Sequence, residues 1–538
     1  MTRIKPLRRD RNHHGIQVVV GTCCFLALVL PGWGQTSACA QLAAQHFAAT
    51  SLTSVRSVPA GPWAASGRGP RRGPAPLLPA FCRVVGVVAP HVGFELWMPQ
   101  QGWNGRLLSL GSGGFGGTIN DGQLAAMMMK GYAVTANDTG HTGQSYDWMH
   151  DPGERRAWGH SATHDVTGPA KAIVRAFYAQ APAYSYFDGC STGGAQAMEE
   201  AEFYPSDYDG IVAGSPGMNY SGLMMSFLWG LKAATDHEAL SPQKLHLLHQ
   251  AVMDHCDAAD GVKDGLLENP LACDFHPEQL LCTSTDTSSC LTAAEVQTAE
   301  LIYQGPRNPR TGAQIYPGFA PGSEAAGESS GGRSFGGWGL IQGPLARQYA
   351  IPLLKNMVFG QDWDWKSFDF DSGYARVESA VHADIDATNP DLRAFQAHGG
   401  KLIMTQGWGD QFNAQTYPVE YHDEVVSLFA ASEGEPEAVH TVNGFFRLFM
   451  VPGMGHCGGG VGPSEMDALG AVRAWVETKQ APDRLVAEKV SLPGGGAAMP
   501  MSRPMCPYPE IARWTGKGST NEADNFVCAM PGGAGQHR

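Results

Sequence analysis

The chain has 538 residues, more than one hydrophobic core usually organises, so we expect a large domain with a sizeable insertion or a second domain. Hydrophobic residues make up 43% and charged residues 16%, a balance that excludes an intrinsically disordered protein. The formal net charge of −14 repels phosphate backbones and argues against a nucleic-acid partner.

Residues 1–35 have the pattern of a secretory signal peptide. A basic head is followed by the apolar run from Ile16 to Leu30 and then by small and turn residues. A membrane anchor is the alternative, but this run is short for a membrane span, and no later stretch has the length of one. We therefore predict a secreted or periplasmic protein with no membrane insertion once the segment is cleaved.

The cysteines agree with export. Cys23 and Cys24 lie in the apolar run, so ten of the twelve remain in the mature chain, and an even number predicts five disulfides. Spacing favours three local pairs, which are Cys256–Cys273, Cys282–Cys290 and Cys506–Cys528. Composition leaves the other connections open. A zinc site is the alternative, and it is disfavoured because the mature chain has no Cys-x-x-Cys pair.

In chain order, residues 36–80 are predicted to be an irregular N-terminal segment, since residues 51–80 are rich in Pro, Gly, Ser and Arg. From residue 81 onward, short apolar runs between Gly-rich turns predict strands, and helical spacing over 170–180 predicts a helix. This alternation indicates a largely parallel sheet with helices on both faces. Residues 81–217 and 396–538 are predicted to form one α/β domain, interrupted by a lid over 218–395.

The strongest local pattern is Gly-Cys-Ser-Thr-Gly-Gly at residues 189–194. It contains Gly-x-Ser-x-Gly between a predicted strand and a predicted helix, the context in which a sharp turn exposes a serine hydroxyl. Gly189 and Gly193 leave room for strand and helix to approach, and the helix N-terminus adds a positive dipole beside a developing oxyanion. The pattern alone arises by chance in a Gly-rich chain, so the prediction of Ser191 as nucleophile depends on this context.

A nucleophilic serine needs a base, and the base needs an orienting acid. Asp410 ends one predicted strand and loop, and His456 ends the next, which gives the chain order Ser, Asp, His typical of α/β-hydrolases. His164 precedes the serine, which is the wrong order, and we predict that it supports the turn structurally.

Two cysteines flank these predicted catalytic residues. Cys190 immediately precedes Ser191, and Cys457 immediately follows His456. A disulfide between them would hold the two loops within side-chain reach. Two buried free thiols are the alternative, which is disfavoured in an exported protein.

The sequences GCSTGG, GWGD and PGMGHC together resemble the tannase and feruloyl esterase family, which also contains the hydrolase of the mono-ester of terephthalate and ethylene glycol. The resemblance runs from about Cys39 to Cys528. It implies an α/β-hydrolase fold with a large inserted lid domain, and it supports the three local disulfides. It further implies the triad Ser191, Asp410 and His456, and disulfides joining Cys190 to Cys457 and Cys39 to Cys82.

The oxyanion hole is expected to combine the backbone N–H of Thr192 with one from the loop SGGFGG, which we assign to Gly114. From the residues alone this glycine-rich loop is equally well explained as a simple turn. The resemblance favours the functional interpretation.

A second cluster of chemistry-bearing residues lies in the predicted lid, where three aspartates fall within eight residues and repel one another unless a cation joins them. Hard oxygen ligands of this kind suit Ca²⁺, although the spacing is not that of an EF-hand. The resemblance implies a structural calcium site and no organic cofactor. Its ligands would be the side chains of Asp257, Asp260 and Asp264 and the carbonyls of Val262 and Leu266. A solvated acidic turn is the alternative.

Substrate recognition is less evident from the sequence. Several aromatic residues are candidates for stacking on an aromatic acyl group, although a Trp in a lid more often packs in a core. Arg333 is a candidate partner for a substrate carboxylate or phenolate. The aromatic candidates are Phe335, Trp338, Trp363, Trp365 and, near the acid, Trp408.

Together these features predict a secreted serine carboxylic ester hydrolase that acts on aromatic acid esters of feruloyl or galloyl type, either small esters or plant polymer esters. A hydrolase of terephthalate mono-esters and a peptidase on the same scaffold are the enzymatic alternatives. A non-catalytic, calcium-dependent extracellular binding protein is the alternative from another class. It is disfavoured because all three triad residues are present.

Overall fold

A nine-stranded mixed sheet is the centre of the fold. The computed structural model describes residues 38–63, 75–143, 145–325, 337–489 and 500–532, so the predicted signal peptide lies outside the described residues. Along the chain the strands are β1 (Thr50–Val58), β2 (Gly61–Pro62), β3 (Leu77–Leu78), β4 (Phe81–Val88), β5 (Val92–Pro99), β6 (Arg106–Leu110), β7 (Ala133–Asn137), β8 (Tyr184–Cys190), β9 (Gly210–Gly214), β10 (Lys401–Gly407), β11 (Phe446–Val451), β12 (Leu485–Lys489), β13 (Met501–Met505), β14 (Ile511–Trp514) and β15 (Phe526–Ala529).

The order of strands across the sheet is β1-β4-β5-β7-β6-β8-β9-β10-β11. The first four pair antiparallel, and all pairings from β7 to β11 are parallel. The parallel strands are buried on both faces, which explains near-continuous apolar runs such as Gly210–Gly214. Helices between parallel strands and this strand order are those of an α/β-hydrolase fold.

The helices either cover the two faces of this sheet or pack with one another in the stretch between β9 and β10. They are α1 (Ala38–Leu42), α2 (Asp121–Met129), α3 (Pro152–Arg156), α4 (Ala162–Tyr178), α5 (Thr192–Phe203), α6 (Tyr220–Asp236), α7 (Pro242–Cys256), α8 (Ala293–Gln304), α9 (Trp338–Ile341), α10 (Ile351–Leu354), α11 (Ser372–Ile385), α12 (Arg393–His398), α13 (Tyr417–Glu433), α14 (Glu435–Asn443) and α15 (Ala468–Thr478). Adjacent residues of β8 face opposite ways, so Tyr186 packs with α2 and α15 whereas Phe187 packs with α5 and α13. Within the described ranges, no helix combines the length and the apolar character that a membrane crossing requires.

Short 3₁₀ and π-helical turns lie between these elements. The 3₁₀ turns are Asp147–His150, Asp257–Asp260, Pro270–Ala272, Pro277–Leu280, Trp365–Ser367 and Ala523–Asn525. The π-helical segments are Ala157–Ser161, Ala346–Ala350 and Lys355–Phe359.

The N-terminal segment corrects one expectation. Residues 36–80 were predicted to be irregular, but Thr50–Val58 is a nine-residue strand that pairs with β4 at the edge of the sheet. Its alternation is hard to recognise because it is an edge strand with mostly exposed or half-buried side chains. The disulfide between Cys39 and Cys82 joins α1 to β4 beside it.

The segment 218–395, called the lid segment below, lies between β9 and β10 and contributes no strand to the described part of the sheet. Its helices share an apolar core that includes Leu228 and Leu353. This core also takes in Trp148 and Trp158, which precede the serine in sequence. The last helix of the segment belongs elsewhere, because Phe395 of α12 packs with the sheet.

The three disulfides expected from spacing are present. Cys256–Cys273 and Cys282–Cys290 lie in the lid segment, and Cys506–Cys528 links the residue after β13 to β15. With Cys39–Cys82 and Cys190–Cys457, they account for the ten cysteines outside the predicted signal peptide.

Candidate active site

Ser191 occupies the turn between β8 and α5. Its backbone has φ 65° and ψ −121°, a conformation that non-glycine residues rarely adopt. Such strained conformations cluster at functional sites. The Ser191 N–H donates to the carbonyl of Gly214 at 2.9 Å, which fixes the turn to the neighbouring strand. A strand, a strained serine and a helix in this order make a nucleophile elbow, which raises the hydroxyl above the sheet edge.

Glycines make this turn possible because the backbones of β6, β8 and α5 meet there. A Cβ on Gly189 would lie 2.4 Å from the carbonyl oxygen of Gly193, and a Cβ on Gly193 would lie 2.9 Å from the carbonyl oxygen of Ser112. Gly111 is equally confined, because its Cβ would lie 2.5 Å from the Cα of Gly193. A side chain at any of these three positions would push the serine away from its place.

The three predicted catalytic side chains lie in one hydrogen-bonded row. Nε2 of His456 is 2.8 Å from Oγ of Ser191, and Nδ1 of His456 is 2.9 Å from Oδ2 of Asp410. Asp410 follows β10 and His456 follows β11, so adjacent parallel strands deliver both loops to the edge where Ser191 stands. With Nδ1 protonated and bonded to the carboxylate, Nε2 is free to accept the serine proton.

Asp410 is completely buried. Burial by itself would raise the pKa of this carboxyl, but the nearby His456 and the N–H groups of Phe412 and Asn413 outweigh burial and hold the pKa below its ordinary value. The carboxylate therefore stays ionised and can orient and stabilise an imidazolium. The ring of Phe412 stacks on His456 at 4.5 Å and covers the imidazole.

A disulfide joins the neighbours of the nucleophile and the base. Cys190 and Cys457 are bonded, with Cα atoms 5.9 Å apart. The Cys457 N–H also donates to the hydroxyl of Ser215 at 3.4 Å, which anchors the histidine loop to the segment after β9. The turn bearing Ser191 and the loop bearing His456 are thus linked covalently.

The glycine-rich loop after β6 lies against the first turn of α5. Thr192 is the first residue of this helix, and the hydroxyl of Thr192 donates to the carbonyl of Gly114 at 2.7 Å. The N–H of Ser112 donates to the side chain of Gln196 at 3.0 Å, a second link between loop and helix. The first N–H groups of a helix have no partner within the helix, so the backbone N–H of Thr192 can serve a developing oxyanion.

Aromatic rings surround Phe115, the residue after Gly114, and sequence reasoning missed this cluster. The structure brings together five further rings from three separate parts of the chain within 6.4 Å of Phe115. The only sequence signal is that Phe115 lies within the loop already singled out. The surrounding residues are Tyr146, Trp148, Trp158, Tyr220 and Tyr349.

None of the predicted substrate residues that the structure describes makes a ring contact with Phe115. The prediction for Trp338 is wrong, because its side chain is fully buried in the core of the lid segment and its indole donates to Ser323. Trp363 and Trp365 also pack against this core, and Trp363 stacks on Phe359. Arg333 and Phe335 lie outside the described residues.

Trp408, two residues before Asp410, is 5% exposed. It packs with the sheet core and lines a small pocket between the acid loop and the lid segment, whose other walls include His249 and Leu266. Trp408 is therefore mostly buried within the fold, two residues before the acid.

His164 does not support the serine turn directly. Its Nδ1 lies 2.6 Å from Asp207, beyond the end of α5, and its ring stacks on Tyr204. It is a structural residue, as expected, but it fixes the far end of the helix.

The aspartate loop of the lid segment is tightly bonded within itself. The Asp257 carboxylate accepts N–H bonds from Asp264 and Gly265, and Asp264 also pairs with the buried guanidinium of Arg503. Burial raises the pKa of Asp260 to about 6, and the neighbouring carboxylates add to this rise. The oxygen donors have the right chemistry for Ca²⁺. In the part of the chain that the structure describes, however, no three Asp, Glu, His or Cys side chains converge on one metal position.

Comparison with known proteins agrees with this geometry. A family model described as tannase and feruloyl esterase matches residues 78–529. An uncharacterised esterase of Xanthomonas campestris is 35% identical, over 97% of this chain and 96% of its own. The mono(2-hydroxyethyl) terephthalate hydrolase of Piscinibacter sakaiensis is 31% identical, over 86% and 87%.

Among solved structures, feruloyl esterase B from Aspergillus oryzae is similar to this chain with a TM-score of 0.81 at 27% identity. The match covers 91% of this chain and 99% of that one. The chain therefore belongs to the tannase and feruloyl esterase family, and it is a carboxylic ester hydrolase with an α/β-hydrolase fold.

Proposed function

We propose that this hydrolase is secreted and cleaves esters of aromatic acids, of feruloyl or galloyl type, through a Ser–His–Asp acyl-enzyme mechanism. One observation carries the mechanism: Nε2 of His456 lies 2.8 Å from Oγ of Ser191 while Nδ1 is bonded to buried Asp410. This is the arrangement that activates a serine hydroxyl as a nucleophile.

In the first step, Nε2 of His456 takes the hydroxyl proton and Oγ of Ser191 forms a bond to the ester carbonyl carbon. The carbonyl oxygen becomes an oxyanion that accepts the backbone N–H groups of Thr192 and Gly114. His456 then gives its proton to the leaving alcohol as the ester C–O bond breaks. A water molecule, deprotonated by the same nitrogen, then forms a bond to the acyl carbon. The bond between this carbon and Oγ of Ser191 breaks, His456 returns the proton to Oγ, and the acid leaves.

The preference for an aromatic acyl group is inferred from the rings around Phe115. This residue adjoins Gly114 and hence lies beside the proposed oxyanion hole. Planar apolar walls favour an aromatic ring through offset and edge-to-face contacts. The names of the similar esterases point to the same substrate class.

Export and a lid calcium ion are further parts of the proposal. Five disulfides suit an oxidising compartment outside the cytoplasm. Calcium bound by Asp257, Asp260 and Asp264 with the carbonyls of Val262 and Leu266 would neutralise the repulsion in the acidic loop and hold it in place.

Hydrolysis assays test the proposal. Methyl ferulate, methyl gallate, a terephthalate mono-ester and a short peptide are offered to the mature chain and to its Ser191→Ala variant. We expect hydrolysis of at least one of the first two, and a loss of about 10³-fold or more in the variant. Ser288→Ala, at an exposed lid position, is the matched control and keeps wild-type rates.

Two outcomes favour other functions. The 31% identity to a terephthalate mono-ester hydrolase makes that substrate the second candidate, and a clear preference for it would replace the feruloyl or galloyl assignment. A non-catalytic binding protein would show no covalent labelling of Ser191 by a fluorophosphonate probe. Full esterase activity in Ser191→Ala would overturn the mechanism.

A further inference from the structure

The lid segment places a tyrosine against each residue of the proposed oxyanion hole. The hydroxyl of Tyr220 contacts the side chain of Thr192. The hydroxyl of Tyr349 lies 3.5 Å from the position that a Cβ on Gly114 would take. Among the described residues other than Gly114 and its two chain neighbours, this is the nearest atom. Thr192 and Gly114 belong to the sheet domain, so these two contacts bring residues of the lid segment to the proposed oxyanion hole.

The Tyr349 ring is held in a defined orientation. It meets Phe115 edge to face, with ring centroids 5.3 Å apart and planes at 64°. Tyr349 lies in the π-helical segment Ala346–Ala350, and Trp158, which contacts the same Phe115, lies in the π-helical segment Ala157–Ser161. Such segments are rare and frequently occur at functional sites. Two of them thus direct rings at the residue next to Gly114.

The hydroxyl of Tyr349 is available as a donor. It accepts a hydrogen bond from the side chain of Gln348 at 3.1 Å. Among the described residues, no acceptor is bonded to the hydroxyl proton of Tyr349, so this proton can be donated to a substrate. Burial, together with nearby Tyr146, raises the pKa of Tyr349, so the hydroxyl keeps its proton at neutral and mildly alkaline pH.

We propose that the Tyr349 hydroxyl is a third hydrogen-bond donor to the reacting carbonyl oxygen, beside the N–H groups of Thr192 and Gly114. The inference rests on the proposed function. Because the donor belongs to the lid segment, full stabilisation of the oxyanion requires this segment to be in place over Ser191. A donor that meets the oxyanion acts on every acyl group alike, whereas a contact to a ring substituent acts only on esters that carry it.

The substitution Tyr349→Phe removes one oxygen atom and keeps the ring against Phe115. We expect kcat to fall about 100-fold or more with KM within about twofold, as for the loss of one oxyanion donor. The factor should be the same for methyl ferulate and for methyl cinnamate, which has no ring oxygen. Labelling of Ser191 by a fluorophosphonate should slow as well, because the phosphoryl oxygen occupies the same hole.

Tyr374→Phe is the matched control. Tyr374 lies on α11 of the lid segment and donates to Glu378 at 2.6 Å, so the same atom is removed from the same segment without reaching Gly114. Its kcat should equal that of the wild type. Titration of reactive sites with the fluorophosphonate counts folded, competent molecules, so kcat per site is compared even if a variant folds less completely.

Two results would overturn the inference. One is a Tyr349→Phe enzyme with wild-type kcat per site. The other is a loss confined to ring-oxygenated esters or to KM, which would assign the hydroxyl to ring recognition. If Ser191→Ala is inactive while Tyr349→Phe is unchanged, the inference alone fails. An active Ser191→Ala would instead remove the proposed function.

Discussion

Cys190 and Cys457 are bonded across 267 positions of the chain, and each is the immediate neighbour of a residue in the hydrogen-bonded row of Ser191 and His456. Between the two cysteines, the chain forms three strands of the sheet and the whole lid segment. The bond therefore fixes the distance between nucleophile and base independently of how the intervening elements pack.

Removing this disulfide should cost more stability than removing one that closes a short loop, because the cost rises with the logarithm of loop length. Chain entropy gives about 5.5 kcal/mol for Cys190→Ser with Cys457→Ser, against about 2.5 kcal/mol for Cys282→Ser with Cys290→Ser, whose separation is 8. Denaturant unfolding of both double variants measures the difference. The first variant should also lose kcat, while the second keeps it. Equal losses of stability, or full activity without the Cys190–Cys457 bond, would contradict this account.

The chemistry of this site follows closely from the sequence, because it depends on local patterns. A strand, a Gly-x-Ser-x-Gly turn and a helix are recognisable at 184–203, and the chain order of Asp410 and His456 follows from loops at the ends of parallel strands. In this fold such loops meet at one edge of the sheet. The alternation of strands and helices likewise predicts the sheet itself.

The glycines of the serine turn give a second test. Gly189→Ala would place a Cβ 2.4 Å from a carbonyl oxygen of α5, so we expect a loss of about 3 kcal/mol or more in the free energy of unfolding, together with loss of activity. Gly339→Ala is the control, since a Cβ there meets only a leucine methyl at 4.0 Å within a short helix, and the change should be neutral or slightly stabilising. Thermal unfolding and ester hydrolysis are measured on both. A stable and active Gly189→Ala protein would show that the turn can accommodate a Cβ at this position.

What the sequence did not predict depends on contacts between distant segments. Thr50–Val58 shows no clear alternation of apolar residues, because it is an edge strand whose side chains are exposed or half-buried. Its partner β4 is also separated from it in the sequence by a Pro-rich stretch. The rings around Phe115 come from residues 146–158, 220 and 349, and no local pattern relates these positions. Trp338 was predicted to contact substrate because it is an aromatic residue of the lid, but its side chain is fully buried in the core. The sequence does not show this burial.

Removal of divalent metal tests the proposed calcium site. Chelation by EGTA should lower the melting temperature by several degrees, and added Ca²⁺ but not Mg²⁺ should restore it, since an ion that binds only the folded state stabilises that state. Asp257→Asn should abolish the response to EGTA. Because the role is structural, kcat measured well below the melting temperature should change little. If neither EGTA nor Ca²⁺ changes the melting temperature, the calcium site is contradicted. The acidic loop would then be a turn held by its own hydrogen bonds and by Arg503.

Glu200, on the helix that follows the nucleophile, makes stability depend on pH in a direction that can be checked. Its side chain is 1% exposed, and burial first, then the nearby charges of Asp207 and Glu199, raise its pKa well above the ordinary value. An acid whose pKa is raised by folding binds its proton more tightly in the folded state, so this group costs stability as the pH rises from its unfolded pKa to its folded pKa.

Glu200→Gln removes that cost with almost no change in shape. The variant should therefore gain free energy of unfolding over the wild type by about 1.4 kcal/mol for each pH unit within that interval, with little difference at about pH 4. Denaturant unfolding from about pH 4 to about pH 8 compares the two proteins. Parallel curves would mean that the carboxyl ionises as easily in the folded chain as in the unfolded one. That result would require water or a cation beside Glu200 to offset the burial that raises its pKa.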